Sequence, residues 1–162
     1  MVKETENKEV LQAHEETILQ DIGGVLEAME TIIEYDTFTV KRNGKKLFSF
    51  RVSGLDDEEM ERCRDAATKM VKNKRLGITV PGEFNSAKFN SLLIYRATHP
   101  DDRKWLWDNK ELQQKAGVLS GWQVVDAILK VGEKEAVIEM IEKLSGMSDE
   151  AESRTEEVLK NS

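Results

Sequence analysis

The sequence predicts a mainly α-helical protein of the α+β class: a compact helical body packed on one two-stranded β-hairpin, with an N-terminal helical arm. Three observations carry this. Only two prolines occur in 162 residues, so few positions forbid a helix. Apolar residues recur at three- and four-residue spacings over most of the chain. Asn43-Gly44 separates two runs rich in β-branched and aromatic residues, the signature of a hairpin.

Residues 1–35 form the arm. Leu11, Ile18, Ile22, Leu26, Met29 and Ile33 fall near one helical face, with glutamates filling much of the remainder. Gly23-Gly24 interrupts the run, so the helix bends there or splits in two. A helix of this kind is marginal alone in water, and its stripe needs a surface to pack on. The body's hairpin face or a second protein supplies the same apolar area to it.

The body spans residues 36–147. For the hairpin over 37–52, a three-residue loop Arg42-Asn43-Gly44 sets Phe38 opposite Phe48 and gathers Phe38, Val40, Phe48, Phe50 and Val52 on one face. A lone hairpin is barely stable, so a helix must cover that face. Asp56 with Glu59 forms a capping box for the next helix, whose inward stripe is Met60, Cys63, Ala67, Met70 and Val71. Lys69, Lys72, Lys74 and Arg75 then crowd its C-terminal end, where cations suit the helix dipole. Leu76 to Gly82 reads as the main loop.

Asn85 or Ser86 caps a helix carrying Phe89, Leu92, Leu93 and Ala97. Pro100 opens a short helix with Trp105 and Trp107. Those two tryptophans cannot both face inward from one regular helix, which makes them candidates for partner contact. A brief helix from Asp108 or Asn109 ends at Gly117, one from Ser120 ends near Gly132, and a last one with Val137, Met140, Ile141 and Leu144 closes at Gly146. Residues 148–162 are polar, a weak helix or disordered tail.

Charge separates the three segments. Residues 1–35 carry net −7, residues 36–146 net +3, and residues 147–162 net −3. No concentrated basic face of the kind nucleic-acid binding needs is apparent. No apolar run reaches membrane-spanning length, and the N-terminus lacks a signal pattern, so a cytoplasmic protein is expected.

The chemistry of sites is sparse. His14 and His99 have no second histidine or cysteine at metal-ligand spacing, and Cys63 lies in an apolar stripe. The paired acids Asp101-Asp102 and Asp56 to Glu59 sit at helix starts, where they stabilise the dipole. No phosphate-cradling glycine loop occurs. A non-enzymatic binding protein without catalytic, cofactor or metal residues is expected.

Three blocks in order, LDDEEMERCRDAATK, NSAKFNSLLIYRATHPDD and LWDNKELQQKAGVLSGWQVVDAILKVGEKEAVIEMIEKLSGM, resemble the XkdN-like tail assembly chaperones of contractile-tailed phages and phage-tail-like particles. The resemblance covers residues 37–147 and implies no catalysis. It implies a protein that coats the tape measure protein until tail tube subunits displace it, and that is absent from the finished particle. On that reading Leu11, Ile18, Ile22, Leu26, Met29 and Ile33 form a helix-in-groove element for the tape measure, the tail tube protein or a neighbouring copy. The alternatives are a tail or baseplate component retained in the particle, and an acidic regulatory binding protein.

Overall fold

A computed structural model describes residues 22–30 and 32–147 of the chain. Its elements are α1 (Ile22–Met29), β1 (Tyr35–Arg42), β2 (Lys45–Ser53), α2 (Asp57–Ala67), β3 (Thr68–Asn73), β4 (Ile78–Phe84), α3 (Ser86–Ala97), α4 (Pro100–Trp105), α5 (Lys110–Ala116), α6 (Gly121–Ile128) and α7 (Val131–Leu144). The chain divides into two units at Ile33/Glu34. The α+β class stands, but the described residues contain two separate hairpins where one was expected.

The first hairpin turns on Asn43 and Gly44, whose φ values of 54° and 75° are the left-handed pair of a type I′ turn. Arg42 faces Lys45, so the loop holds two residues and not three. The register then slips between Val40 and Lys41, leaving Leu47 as the extra residue of a bulge. Beyond it Val40 faces Phe48 and Phe38 faces Phe50. The expected apolar face therefore forms by another route. A two-residue turn alone would have thrown half of these side chains to solvent, and the bulge restores their parity.

Helices α3 and α7 pack on the first hairpin, so its apolar face is closed from within the body. Val40, Phe50 and Val52 are fully buried with Ile94, Val124, Val125, Val137 and Ile141, and Leu93 is buried beside them. Trp107 is fully buried among them, its ring edge-on to Phe50 at 5.2 Å. A buried indole needs an acceptor. Its N–H donates to Thr98 Oγ1 at 2.9 Å, and the Thr98 hydroxyl donates to the Ile94 carbonyl at 2.6 Å. Trp107 thus presents no surface to a partner, which corrects its candidacy. The short helix α4 ends at Trp105, and the chain turns inward after it.

The helix limits follow local chemistry. Asp56 accepts from the Glu59 amide at 2.8 Å while Glu59 accepts from the Asp56 amide at 3.3 Å, completing the capping box. Asn85 and Asn109 cap α3 and α5, and Gly117 ends α5 with a φ of 69°. Gly132 departs from expectation. The break falls at Leu129–Lys130, and Gly132 lies in the first turn of α7, because Glu133 accepts from the Lys130 amide at 2.8 Å and starts the helix early.

Candidate binding surface

Helix α2 stops at Ala67, and the chain runs on into an exposed second hairpin. Thr68 caps it, its hydroxyl donating to the Arg64 carbonyl at 2.8 Å. Thr68 also opens β3, which pairs antiparallel with β4. The turn between them is set by Asn73, whose side-chain oxygen accepts from the amides of Arg75 at 3.0 Å and Leu76 at 3.3 Å. Gly77 follows with a left-handed φ of 67°, its amide donating to the Asn73 carbonyl at 2.9 Å.

The expected extension of the α2 stripe through Met70 and Val71 is therefore wrong. Met70 is 55% exposed and Val71 46%. Lys69, Lys72, Lys74 and Arg75 belong to the hairpin and its turn, and Arg64 is the cation in the last turn of α2. Gly82 lies within β4 and not at a boundary: a Cβ there would fall 2.2 Å from Val71 Cγ2 and 2.9 Å from the Lys69 carbonyl.

The hairpin is held at its base and free beyond it. Phe84 meets Phe89 of α3 with ring centres 5.4 Å apart, and the Asn85 amide donates to the Ala67 carbonyl at 2.9 Å. An open cleft of about 650 Å³ runs along this base, lined by Ala66, Thr68, Lys69, Phe84 and Lys88 among others. Toward the tip Leu76 and Ile78 are also exposed. Sequence reasoning missed this surface. The signal was present in the β-branched run Ile78-Thr79-Val80 and in the turn residues Asn73 and Gly77.

Of the residues named as partner contacts, Leu11 and Ile18 lie outside the described residues. Ile22, Leu26 and Met29 are on α1 and exposed. The helix ends at Met29, so Ile33, also exposed, follows in irregular chain and is not on its face. Trp105 is 47% exposed, its indole N–H donating to Asp102 Oδ1 at 3.2 Å. Ile22, Leu26, Met29, Ile33 and Trp105 are thus accessible, and Trp107 is not.

Two ion pairs secure the body around these surfaces. Arg51 donates to Asp102 from Nε and from Nη2, and Arg42 reaches Glu133 at 2.7 Å and the Ile128 carbonyl at 2.6 Å. Arg51 holds the Asp102 carboxyl down at about 2, and Arg42 likewise lowers Glu133. Burial pushes the Cys63 thiol up, against a nucleophilic role. His99 caps α4, its Nδ1 accepting from the Asp101 amide at 3.1 Å. Among the described residues no group of three or more His, Cys, Asp or Glu is placed to hold a metal ion. No helix among them is long and apolar enough to cross a membrane.

A family model described as phage XkdN-like tail assembly chaperone protein matches residues 25–159. It takes in the last part of α1 and both hairpins, and so reaches further in each direction than the resemblance over 37–147. No curated protein and no solved structure matches the chain.

Proposed function

We propose, since this chain belongs to the phage XkdN-like tail assembly chaperone family, that it binds the tape measure protein or tail tube subunits in the host cytoplasm. It keeps them soluble until the tube assembles, makes and breaks no covalent bond, and leaves before the particle is complete. The observation that carries this reading is apolar surface left open on a highly charged chain. Ile22, Leu26 and Met29 on α1, and Met70, Leu76 and Ile78 on the second hairpin, are each more than half exposed. A tape measure is long and apolar along at least one side, so its chaperone needs such surface together with the solubility that a net charge of −7 provides.

The test is co-expression with the neighbouring tail genes. The chain should co-purify with a soluble tape measure or tube protein, and Met70→Ser, Leu76→Ser and Ile78→Ser together should weaken that association. Mass spectrometry of finished particles should lack the chain. Its presence there in fixed ratio would make it a structural tail component, and a failure to co-purify with any tail protein would end the proposal.

A further inference from the structure

The second hairpin is an unusual surface for an acidic protein. Residues 68–84 carry Lys69, Lys72, Lys74 and Arg75 against Glu83 alone, and all four cations are exposed. Among the described residues none of the four forms an ion pair. Interleaved with them are Met70, Val71, Leu76 and Ile78, exposed between 46% and 66%. Isolated two-stranded sheets are marginal in water and gain most from a third element laid on them.

The same chain contains the matching surface. Residues 22–36 hold Glu27, Glu30, Glu34 and Asp36 and no cation. Within them α1 buries none of its residues, and Ile22, Val25, Leu26 and Met29 are exposed between 55% and 72%. A helix of eight residues is likewise marginal alone. One surface is apolar with positive charge, the other apolar with negative charge, and each lacks what the other offers.

We infer that α1 and the acidic residues after it, from one copy of the chain, dock on the β3–β4 hairpin of a second copy. Charge complementarity chooses this occupant. Met70, on the same face of β3 as Lys72, and Leu76 in the turn supply the apolar seat, while Lys72, Lys74 and Arg75 face Glu27, Glu30 and Glu34; Val71 and Ile78 lie on the opposite face of the hairpin. Each copy carries one surface of each kind, so docking joins copies reciprocally or head to tail. The inference does not depend on which tail protein is chaperoned.

The test is sedimentation equilibrium of the full chain over a range of concentrations and salt. The wild type should exceed its 18.5 kDa monomer mass at low salt. Its dissociation constant should rise on the order of tenfold between about 50 mM and about 500 mM salt, because exposed charges are screened over that range. Two charge-reversed proteins complete the experiment, one with Lys72→Glu and Lys74→Glu, the other with Glu27→Lys and Glu30→Lys. Each alone should be monomeric, and an equimolar mixture should associate again. All four positions are exposed, and the wild-type salt series needs no substitution. A wild type that is monomeric throughout, reversed proteins that associate as the wild type does, or a mixture that stays monomeric would each overturn the inference. Co-purification with a tail protein would be untouched by any of these results.

Discussion

Arg51 holds Asp102 through three hydrogen bonds, with the backbone amide at 2.8 Å and Nε at 3.0 Å on Oδ2, and Nη2 at 3.1 Å on Oδ1. The pair joins the C-terminal end of β2 to the first turn of α4, fifty-one residues later. The indole N–H of Trp105 adds a fourth donor to the same carboxylate. A largely buried anion with four donors is tied far more firmly than a surface pair.

That arrangement makes stability acid-sensitive in a defined window. The hydrogen bonds from Arg51 lower the Asp102 carboxyl from 3.8 to about 2, outweighing burial, which acts in the opposite sense. A carboxyl lowered on folding contributes stability that is complete above its unfolded value and is lost as pH falls through its folded value. Denaturation midpoints should therefore fall between about pH 4 and about pH 2. Asp102→Asn should remove about 2 kcal/mol at neutral pH and flatten this acid limb. Urea titrations followed by tryptophan fluorescence measure both effects. Equal midpoints for variant and wild type at pH 7 would refute the assignment.

The two neighbouring tryptophans should behave oppositely. Trp107→Ala removes a fully buried ring and leaves the Thr98 hydroxyl facing a cavity, at a cost of about 3–5 kcal/mol. Trp105→Ala removes a half-exposed ring and one donor to Asp102, at a cost of about 1 kcal/mol. Thermal unfolding should rank the variants in that order. The reverse ranking would contradict the burial described.

Gly54 is a packing requirement. A Cβ there would lie 2.6 Å from the backbone carbonyl of Leu144 and 2.8 Å from the Ser145 amide, and backbone cannot move aside as a flexible side chain can. Beside it the Leu55 amide donates to Ser145 Oγ at 2.9 Å, so the end of α7 is pinned to this turn. Gly54→Ala should destabilise by about 1–3 kcal/mol with the fold retained. Gly132→Ala, where nothing lies within 4 Å of the added carbon, is the control and should be neutral or slightly stabilising.

Cys63 should resist thiol reagents in the native protein. Burial raises its pKa, offsetting the positive Arg96 nearby, so the thiolate is scarce at neutral pH. Modification should proceed at the rate of opening and become fast in denaturant. Rapid labelling of the folded chain would place the residue outside the core.

What could be read ahead of the structure was local chemistry. The Asp56–Glu59 box and the span from Asn109 to Gly117 each declare themselves within a few residues and are where they are expected, and the first hairpin turns at Asn43-Gly44, though on a two-residue loop and not the expected three. The second hairpin was hidden by a coincidence of period. Met60, Cys63, Ala67, Met70 and Val71 satisfy a helical stripe, although only the first three belong to a helix. Choosing between helix and strand for Thr68–Asn73 needed its pairing with Ile78–Phe84, a contact across a turn that residue spacing does not encode. The bulge at Leu47 escaped for the same reason. Of the residues expected to meet a partner, Ile22, Leu26, Met29, Ile33 and Trp105 are exposed. Trp107 was misplaced because its partner, Thr98, lies nine residues back on another segment.

The outer rims of β3 and β4 each present unused main-chain donors and acceptors, an open template for any strand that drifts past. Two molecules zippering along their β3 rims would have to crowd Lys69 and Lys72 of each against one another, and like charges set opposite each other repel. Lys69 and Lys72 therefore oppose stacking along β3 while leaving Met70 and Val71 beside them exposed. Neutralising them would trade a selective surface for an adhesive one.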